Sequence, residues 1–484
     1  MPPLVALGVL VALVLWLFAV NRKSHGGGPS GLWIPLVWLL VIGSKPPASW
    51  VAVITRTPAP TEGNIADTLL FSSLLLAALV VLRRKNLDWR AIFSDNKWIF
   101  LYFAYEGCSV LWSDHGLDSL KLWVKDCGNL LMVLLILSEE NPVGAVKSVL
   151  LGTAYVLIPL SVVLVKYFPD IGKVYNGWTY QPRIIGVSTD KNMLGKTLMI
   201  SAVAIFWSYS ELRKRLSAEK IVVWGDFLVI VMTLWLLIGA HSATSLACTI
   251  LGTGILLGMT RPFVRDSVQR LGLGGFILLA AVAICLASVF NLSEVFTGLL
   301  DRDLTFTGRT TIWQRSLLAD VDPIIGAGYA DFWTGERTAK ISEGIGFFYR
   351  LREAHNGYLD VYLNCGIIGV FLLLCAIGSG ASRILRGLAD VGSWGVFRFT
   401  FLLVALVYNL SESAFGALDI VWFAFLLAIV EYPHREVGET DSEHEPSSET
   451  LVESQAELYR VGTPDFAAAA EPCYQQGLRF QDQL

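Results

Sequence analysis

Charge is what this chain lacks. Only 16% of its 484 residues are charged, against 54% hydrophobic, whereas a soluble domain carries about a quarter charged residues. An ordinary soluble globular protein is excluded. Histidine is scarce as well, with six residues, two of them, His434 and His444, close to the C-terminus. His115, His241 and His355 are placed near one face, but no carboxylate or cysteine shares their spacing, so they make no metal-ligand motif. No HExxH helix, phosphate-cradling glycine loop or Ser-His-Asp order occurs, and no basic patch points to nucleic acid. Six of the seven cysteines lie in or near apolar runs and none falls between residues 291 and 355, which excludes a disulfide framework.

What the chain has instead is apolar runs of membrane length. Spans are expected near 2–20, 31–53, 66–82, 98–112, 120–137, 145–166, 193–209, 221–239, 242–260, 272–290, 357–379, 394–410 and 415–430, each close to the roughly 20 residues that cross a bilayer as helix. The fold class is therefore an all-α polytopic membrane protein with about 12–13 transmembrane helices. Met1–Val20 lacks both a basic start and a small-residue cleavage site, and reads as a span rather than a signal peptide. Basic residues concentrate in alternate loops, at Arg83, Arg84 and Lys85, at Arg213, Lys214 and Arg215, and at Arg261, Arg265 and Arg270. The positive-inside rule makes these loops cytoplasmic. The intervals 167–192 and 291–355 then fall outside. Residues 1–430 form the bundle, including the large extracytoplasmic loop 291–356. Residues 431–484 hold twelve acids against three arginines and read as a disordered cytoplasmic tail.

That loop is the long polar interval of the bundle. Thr307-Gly308-Arg309 opens a short helical pattern through Leu318, with Thr307 as N-cap, and Gly326-Ala327-Gly328 makes a turn. Arg309 would sit in the first helical turn, beside free backbone N–H groups, a poor place for a cation unless an anion is expected there. Arg183 and Lys191 stand just ahead of a span on the same side, where an anionic ligand or snorkelling accounts for them. Two polar stripes recur at four-residue spacing: Lys121, Lys125 and Asn129 in one span, and Asn356, Asp360 and Asn364 in the span that follows His355. Polar groups in a span face a cavity or a partner.

Thr307-Gly308-Arg309 with Trp313, Gly326-Ala327-Gly328, His355-Asn356-Gly357-Tyr358-Leu359 and Gly366-Ile367-Ile368-Gly369 together resemble the O-antigen ligase and Wzy-type polymerase superfamily. Arg183 to Gly195 and Tyr408 to Ser413 resemble its exopolysaccharide-polymerase branch. The resemblance implies a GT-C-like bundle in the bacterial inner membrane, with its active site on the extracytoplasmic side. The implied reaction moves a glycan from undecaprenyl diphosphate to an acceptor hydroxyl, inverting the anomeric carbon, without metal or cofactor. It also implies His355 as catalytic base and Arg183 and Arg309 as diphosphate ligands. Lys191, Asn356 and Arg302 join them here as substrate-binding candidates. Expected partners are the lipid-linked glycan, an acceptor glycan or lipid, and other polysaccharide-export proteins. Polymerase is favoured over ligase by the Asp190-Lys191-Asn192 and Asn409–Glu412 segments. A transporter or flippase of lipid-linked sugars is the competing class, but it should show two related halves, and none is visible.

Overall fold

The computed structural model describes residues 2–25, 31–57, 64–85, 87–175, 182–212, 220–289, 307–345, 351–388, 392–416 and 418–432. Residues 433–484, which hold nearly all of the acidic tail, and Arg302 lie outside them. The first half runs through α1 (Pro3–His25), α2 (Trp33–Ile42), α3 (Pro47–Thr55), α4 (Ile65–Arg84), α5 (Trp89–Asp95), α6 (Lys97–Ser109), α7 (Gly116–Leu137) and α8 (Pro142–Tyr167). The single turn α9 (Pro169–Gly172) leads into an antiparallel hairpin, β1 (Lys173–Tyr175) with β2 (Pro182–Ile184). Then come α10 (Lys191–Leu212), α11 (Lys220–Ala240), α12 (Ala243–Gly258), α13 (Pro262–Val289), α14 (Thr307–Leu317), α15 (Gly335–Ile345), α16 (Gly357–Arg386), α17 (Gly392–Tyr408) and α18 (Ile420–Ile429).

This is an all-α polytopic membrane protein. The thirteen apolar runs do not each become a full-length helix, however. Among the described residues four helices are long and apolar enough to cross a bilayer, or six if the pairs bent by 67° (α2 with α3) and 105° (α12 with the start of α13) each count as one. Of the others, α7, α10 and α11 run 22, 22 and 21 residues, whereas α17 and α18 are shorter, at 17 and 10 residues. All ten residues of α18 are buried, as suits a helix hydrophobic on every side. Trp422 and Phe425 stack within it, and Trp422 stacks on Phe103 of α6. The peripheral α1 and α4 leave most of their apolar surface exposed, the face that lipid covers.

Two features set the outer segment against the bundle. The first is a break in α16 at Gly366 (φ 63°, ψ −166°), a conformation open essentially to glycine alone. Residues 322–328 lie against the break. Ala327 and Gly328 N–H donate to the carbonyls of Leu363 and Asn364 (3.0 and 2.8 Å), and Ile367 N–H donates to Pro323 O (3.0 Å). Backbone freed by the break is thus satisfied inside the protein, as a bilayer requires. The second is Asp126 in α7, which has no solvent exposure. It accepts from Tyr329 Oη (2.8 Å), Trp422 Nε1 (2.7 Å) and Asn129 Nδ2 (3.2 Å), and Trp38 Nε1 donates to Asn129 (2.8 Å). Of the first polar stripe, Asn129 therefore serves packing, while Lys121 pairs with Asp118 and Lys125 lies over Phe71.

Candidate active site

The site forms where the N-terminus of α16 meets the 409–413 turn between α17 and α18. Asn356 is the N-cap of α16: its Oδ1 accepts from Leu359 N–H at 3.0 Å. Its own N–H donates to Ser413 Oγ (3.1 Å), and its Nδ2 to Leu410 O (3.2 Å). Gly357 N–H donates to the carbonyls of Asn409 and Glu412 (2.9 and 3.1 Å). One turn on, Asp360 accepts from Ala354 N–H (3.0 Å), Trp333 Nε1 (2.7 Å) and Ser413 Oγ. Asn364 accepts from Phe332 N–H (3.0 Å). The second stripe thus binds the outer segment to α16, and this fixes the backbone on both sides of His355. His355 itself takes a left-handed φ of 52°.

Glu412 is the hub. Its side chain is only 4% exposed. Oε1 accepts from Arg309 Nη2 at 2.9 Å, while Arg309 Nη1 donates to Ser411 O. Oε2 faces His355 Nδ1 at 3.1 Å and accepts from Asn192 Nδ2 at 3.2 Å. Glu353 Oε1 lies 2.8 Å from the same His355 nitrogen. Arg309 and His355 are each 28% exposed and Glu353 is 33% exposed, so the cluster opens toward solvent through these three side chains while Glu412 stays buried. Burial alone would raise the Glu412 carboxyl, but the His355 hydrogen bond and the Arg309 charge outweigh it and hold Glu412 below the usual range. Burial would lower His355, but hydrogen bonds and charge from Glu353 and Glu412 win and push the imidazole up to about 9. Near neutral pH the cluster therefore holds two cations and two carboxylates.

Of the residues singled out from the sequence, Arg309, His355 and Asn356 come together here. Arg309 lies in the first turn of α14, as the helical pattern predicts; Thr307 is that helix's first residue. Lys191 opens α10, next to Asn192 in the cluster. Arg183 is exposed on β2, paired in register with Val174, and among the described residues its guanidinium makes no ion pair with the cluster. The three histidines do not gather. His115 pairs with Asp331 at 2.8 Å, and His241 follows α11, where it lines a separate cavity.

Sequence reasoning missed Glu353 and read Asn192 and Glu412 only as parts of motifs. An acid in a short turn between two apolar helices was the available signal. Glu353, His355 and Glu412 also bring three ligand atoms within 4.8 Å of one another, close enough to hold a cation. Arg309 on the far oxygen of Glu412 and a proton on His355 supply positive charge to the same carboxylates.

Residues 227–374 match the family model described as O-Antigen ligase. A curated relative, the exopolysaccharide production protein ExoQ of Rhizobium meliloti (strain 1021), is 24% identical over 309 residues, 59% of this chain. The match spans 65% of that relative's length. No solved structure matches the chain. The matched interval contains Arg309, His355 and the α16 break, and these matches support an O-antigen ligase or Wzy-type family for the chain.

Proposed function

We propose that the chain is a polysaccharide polymerase that transfers glycan units from undecaprenyl diphosphate to the hydroxyl of an acceptor sugar, at the outer face of the inner membrane. The observation that carries this reading is the placement of Arg309 and His355 on one buried carboxylate, Glu412, at a solvent-open edge of the bundle. An arginine fork suits the diphosphate, whose charge a divalent cation would otherwise balance. Nδ1 of His355 faces two carboxylates and so carries a proton, which leaves Nε2 as the basic nitrogen of the neutral ring. In the reaction the acceptor oxygen bonds to the anomeric carbon as the carbon–phosphate-oxygen bond breaks. The diphosphate leaves with the electron pair against Arg309, and the hydroxyl proton passes to Nε2. Inversion follows from the single displacement. Arg183 and Lys191, on either side of the 185–190 segment, would meet the glycan or carrier as it enters. Arg302 has the same assignment from sequence alone.

Support for polymerase over ligase comes from Asn192 and Glu412, which belong to the two segments that resemble the polymerase branch and which meet at 3.2 Å. The named role of the relative is in exopolysaccharide production. The test is single-turnover transfer by purified His355→Gln beside donor binding. Transfer should fall about 10²–10⁴-fold, as general-base removal does, with binding retained; a variant within a few-fold of wild type refutes the base. In a deletion strain, single repeats without long chains support a polymerase, and full-length glycan left on its carrier supports a ligase.

The Glu353–His355–Glu412 spacing favours one second reading, a divalent cation held in place of the histidine proton. Transfer that survives EDTA argues against it, and abolition followed by rescue with one metal would establish it.

A further inference from the structure

Lys196 is a cation beside the centre to which the transfer step assigns no part. It lies one helical turn beyond Asn192 on α10, so the two side chains project from one face. Lys196 Nζ donates to Ser413 O at 3.0 Å and pairs with Asp419 Oδ2 at 2.6 Å, and its side chain is only 13% exposed. Asn192 Nδ2 donates to Glu412 Oε2 at 3.2 Å. α10 thus takes hold of two consecutive residues of the turn that carries the centre. The helix is itself firmly held. Asp190 Oδ1 accepts from Asn192 and Met193 N–H (2.8 and 2.9 Å), which caps its first turn. At Gly195 it lies so close to α12 that an added Cβ would stand 2.5 Å from Ser245 Oγ.

Residues 411–413 are where the parts of the centre meet. Ser411 O and Glu412 Oε1 take Arg309, Glu412 Oε2 takes His355, and Ser413 Oγ joins the N–H of Asn356 to Asp360. A carboxylate that serves a different cation with each oxygen tolerates little rotation, so the turn beneath it must be fixed. Packing alone would not need a lysine at 196. Burying an ion pair costs the desolvation of both charges, and apolar residues of similar volume often hold a bundle equally well. A bolt between α10 and α18 would also need Asp419 alone, whereas Lys196 reaches Ser413 O, next to Glu412, as well. Asp419 gives that reach a fixed base, because its Oδ1 caps α18 by accepting from Val421 N–H at 2.8 Å.

We propose that Lys196, with Asn192, is a positioning residue for transfer: this face of α10 holds residues 411–413 so that Glu412 presents one oxygen to Arg309 and the other to His355. The inference deepens the proposed reading of the centre and rests on it. Lys196 acts on the reaction through Ser413 and Glu412, not by contact with the glycan. Its loss should therefore slow the transfer step only while Glu412 is there to be aimed.

The test is a double-mutant cycle on single-turnover transfer by the purified full chain. Lys196→Met/Asp419→Asn removes both charges together, and asparagine keeps the cap on α18, so folding should persist, with thermal denaturation as the check. In the wild-type background this pair should slow transfer about tenfold, a coupling of the size that neighbouring groups show. In a Glu412→Gln background, already slow, it should cost at most about twofold, because the residue it acts through no longer bridges the two cations. Asn192→Leu, which breaks the other contact and no ion pair, should repeat the pattern, and it carries the test if the charge-neutral pair fails to insert. An equal loss in both backgrounds, or wild-type transfer with only a lowered denaturation temperature, makes the pair a structural bolt and overturns the proposal while the centre stands. His355→Gln that transfers at the wild-type rate, beside an intact coupling of Lys196 to Glu412, refutes the proposed centre instead and leaves the hold of α10 on Glu412 in place.

Discussion

Replacing Glu353 by glutamine should make the enzyme faster near neutral pH. His355 stands at about 9 against an ordinary 6.5 because two carboxylates face its Nδ1. At that value only about one molecule in a hundred carries the neutral imidazole at pH 7, and the base-competent fraction grows about tenfold per pH unit until it levels off. If the two carboxylates share the rise about equally, removing one brings the imidazole to roughly 8 and gives about tenfold more neutral ring at pH 7. Glutamine keeps the size and polarity of Glu353, whose side chain is 33% exposed, so packing should survive. The assay is initial-rate transfer by purified protein from pH 6 to 10, with donor saturating. Wild type should climb through a midpoint near pH 9 and level off above it. Glu353→Gln should climb earlier, cross above wild type at pH 7, and reach a similar plateau. His355→Gln should show no such rise. Wild-type transfer that falls between pH 7 and 9 would mean that the imidazolium, not the imidazole, is the working form, and the base assignment would be lost. An unmoved midpoint in Glu353→Gln would refute the origin given for the raised value.

The same raised value acts on stability. A group whose folded-state pKa lies above its unfolded one contributes fully below the unfolded value and loses that contribution as pH rises through the folded value. The denaturation temperature of wild type should therefore decline between about pH 6.5 and 9 more steeply than that of His355→Gln in differential scanning fluorimetry. Arg309→Lys keeps the charge but loses the planar grip on Glu412 and on a diphosphate; transfer should drop by about 10²-fold or more, and activity near wild type would reduce Arg309 to a surface pairing. Gly366→Ala puts a Cβ into the Ile324 carbonyl at a backbone angle that alanine avoids, so folded yield in membranes should collapse, while Ile367→Ala, whose side chain is exposed, should be tolerated. For topology, Glu343→Cys and Ser447→Cys in a cysteine-free background should differ toward an impermeant thiol reagent on spheroplasts, with labelling at 343; Glu343 serves because the neighbouring Ser342 is buried. Labelling at 447 alone would invert the bundle and move the site to the cytoplasm.

Features written in local sequence were legible in advance. The helix carrying Arg309 and the turn at Gly326–Gly328 both rest on residue chemistry within a few positions, and both are present. The stripe of Asn356, Asp360 and Asn364 was visible as a stripe, though its partners, Ser413, Trp333 and Phe332, were not. What escaped depends on distance along the chain. Glu412 meets His355 across 57 residues and Arg309 across 103, and no periodicity encodes such a meeting. The shortened helices escaped for another reason. A run that is apolar on all sides reads the same whether lipid or protein surrounds it, so α18 was indistinguishable in composition from a full span.

Asp126 ties the order of assembly to the length of chain already made. α7 enters the membrane early, carrying a carboxyl whose insertion costs about 2.5–3.5 kcal/mol. Two of the groups that compensate it, Tyr329 and Trp422, are synthesised 203 and 296 residues later. Until α18 is threaded, the nascent bundle holds an under-satisfied acid in its core, even though the α16 break is already made and the outer segment can dock against it. The protein therefore cannot complete its interior from the N-terminus onward. A chain interrupted before Trp422 carries its defect in the middle of the membrane, where a bilayer protease or chaperone that senses polar groups in lipid would find it.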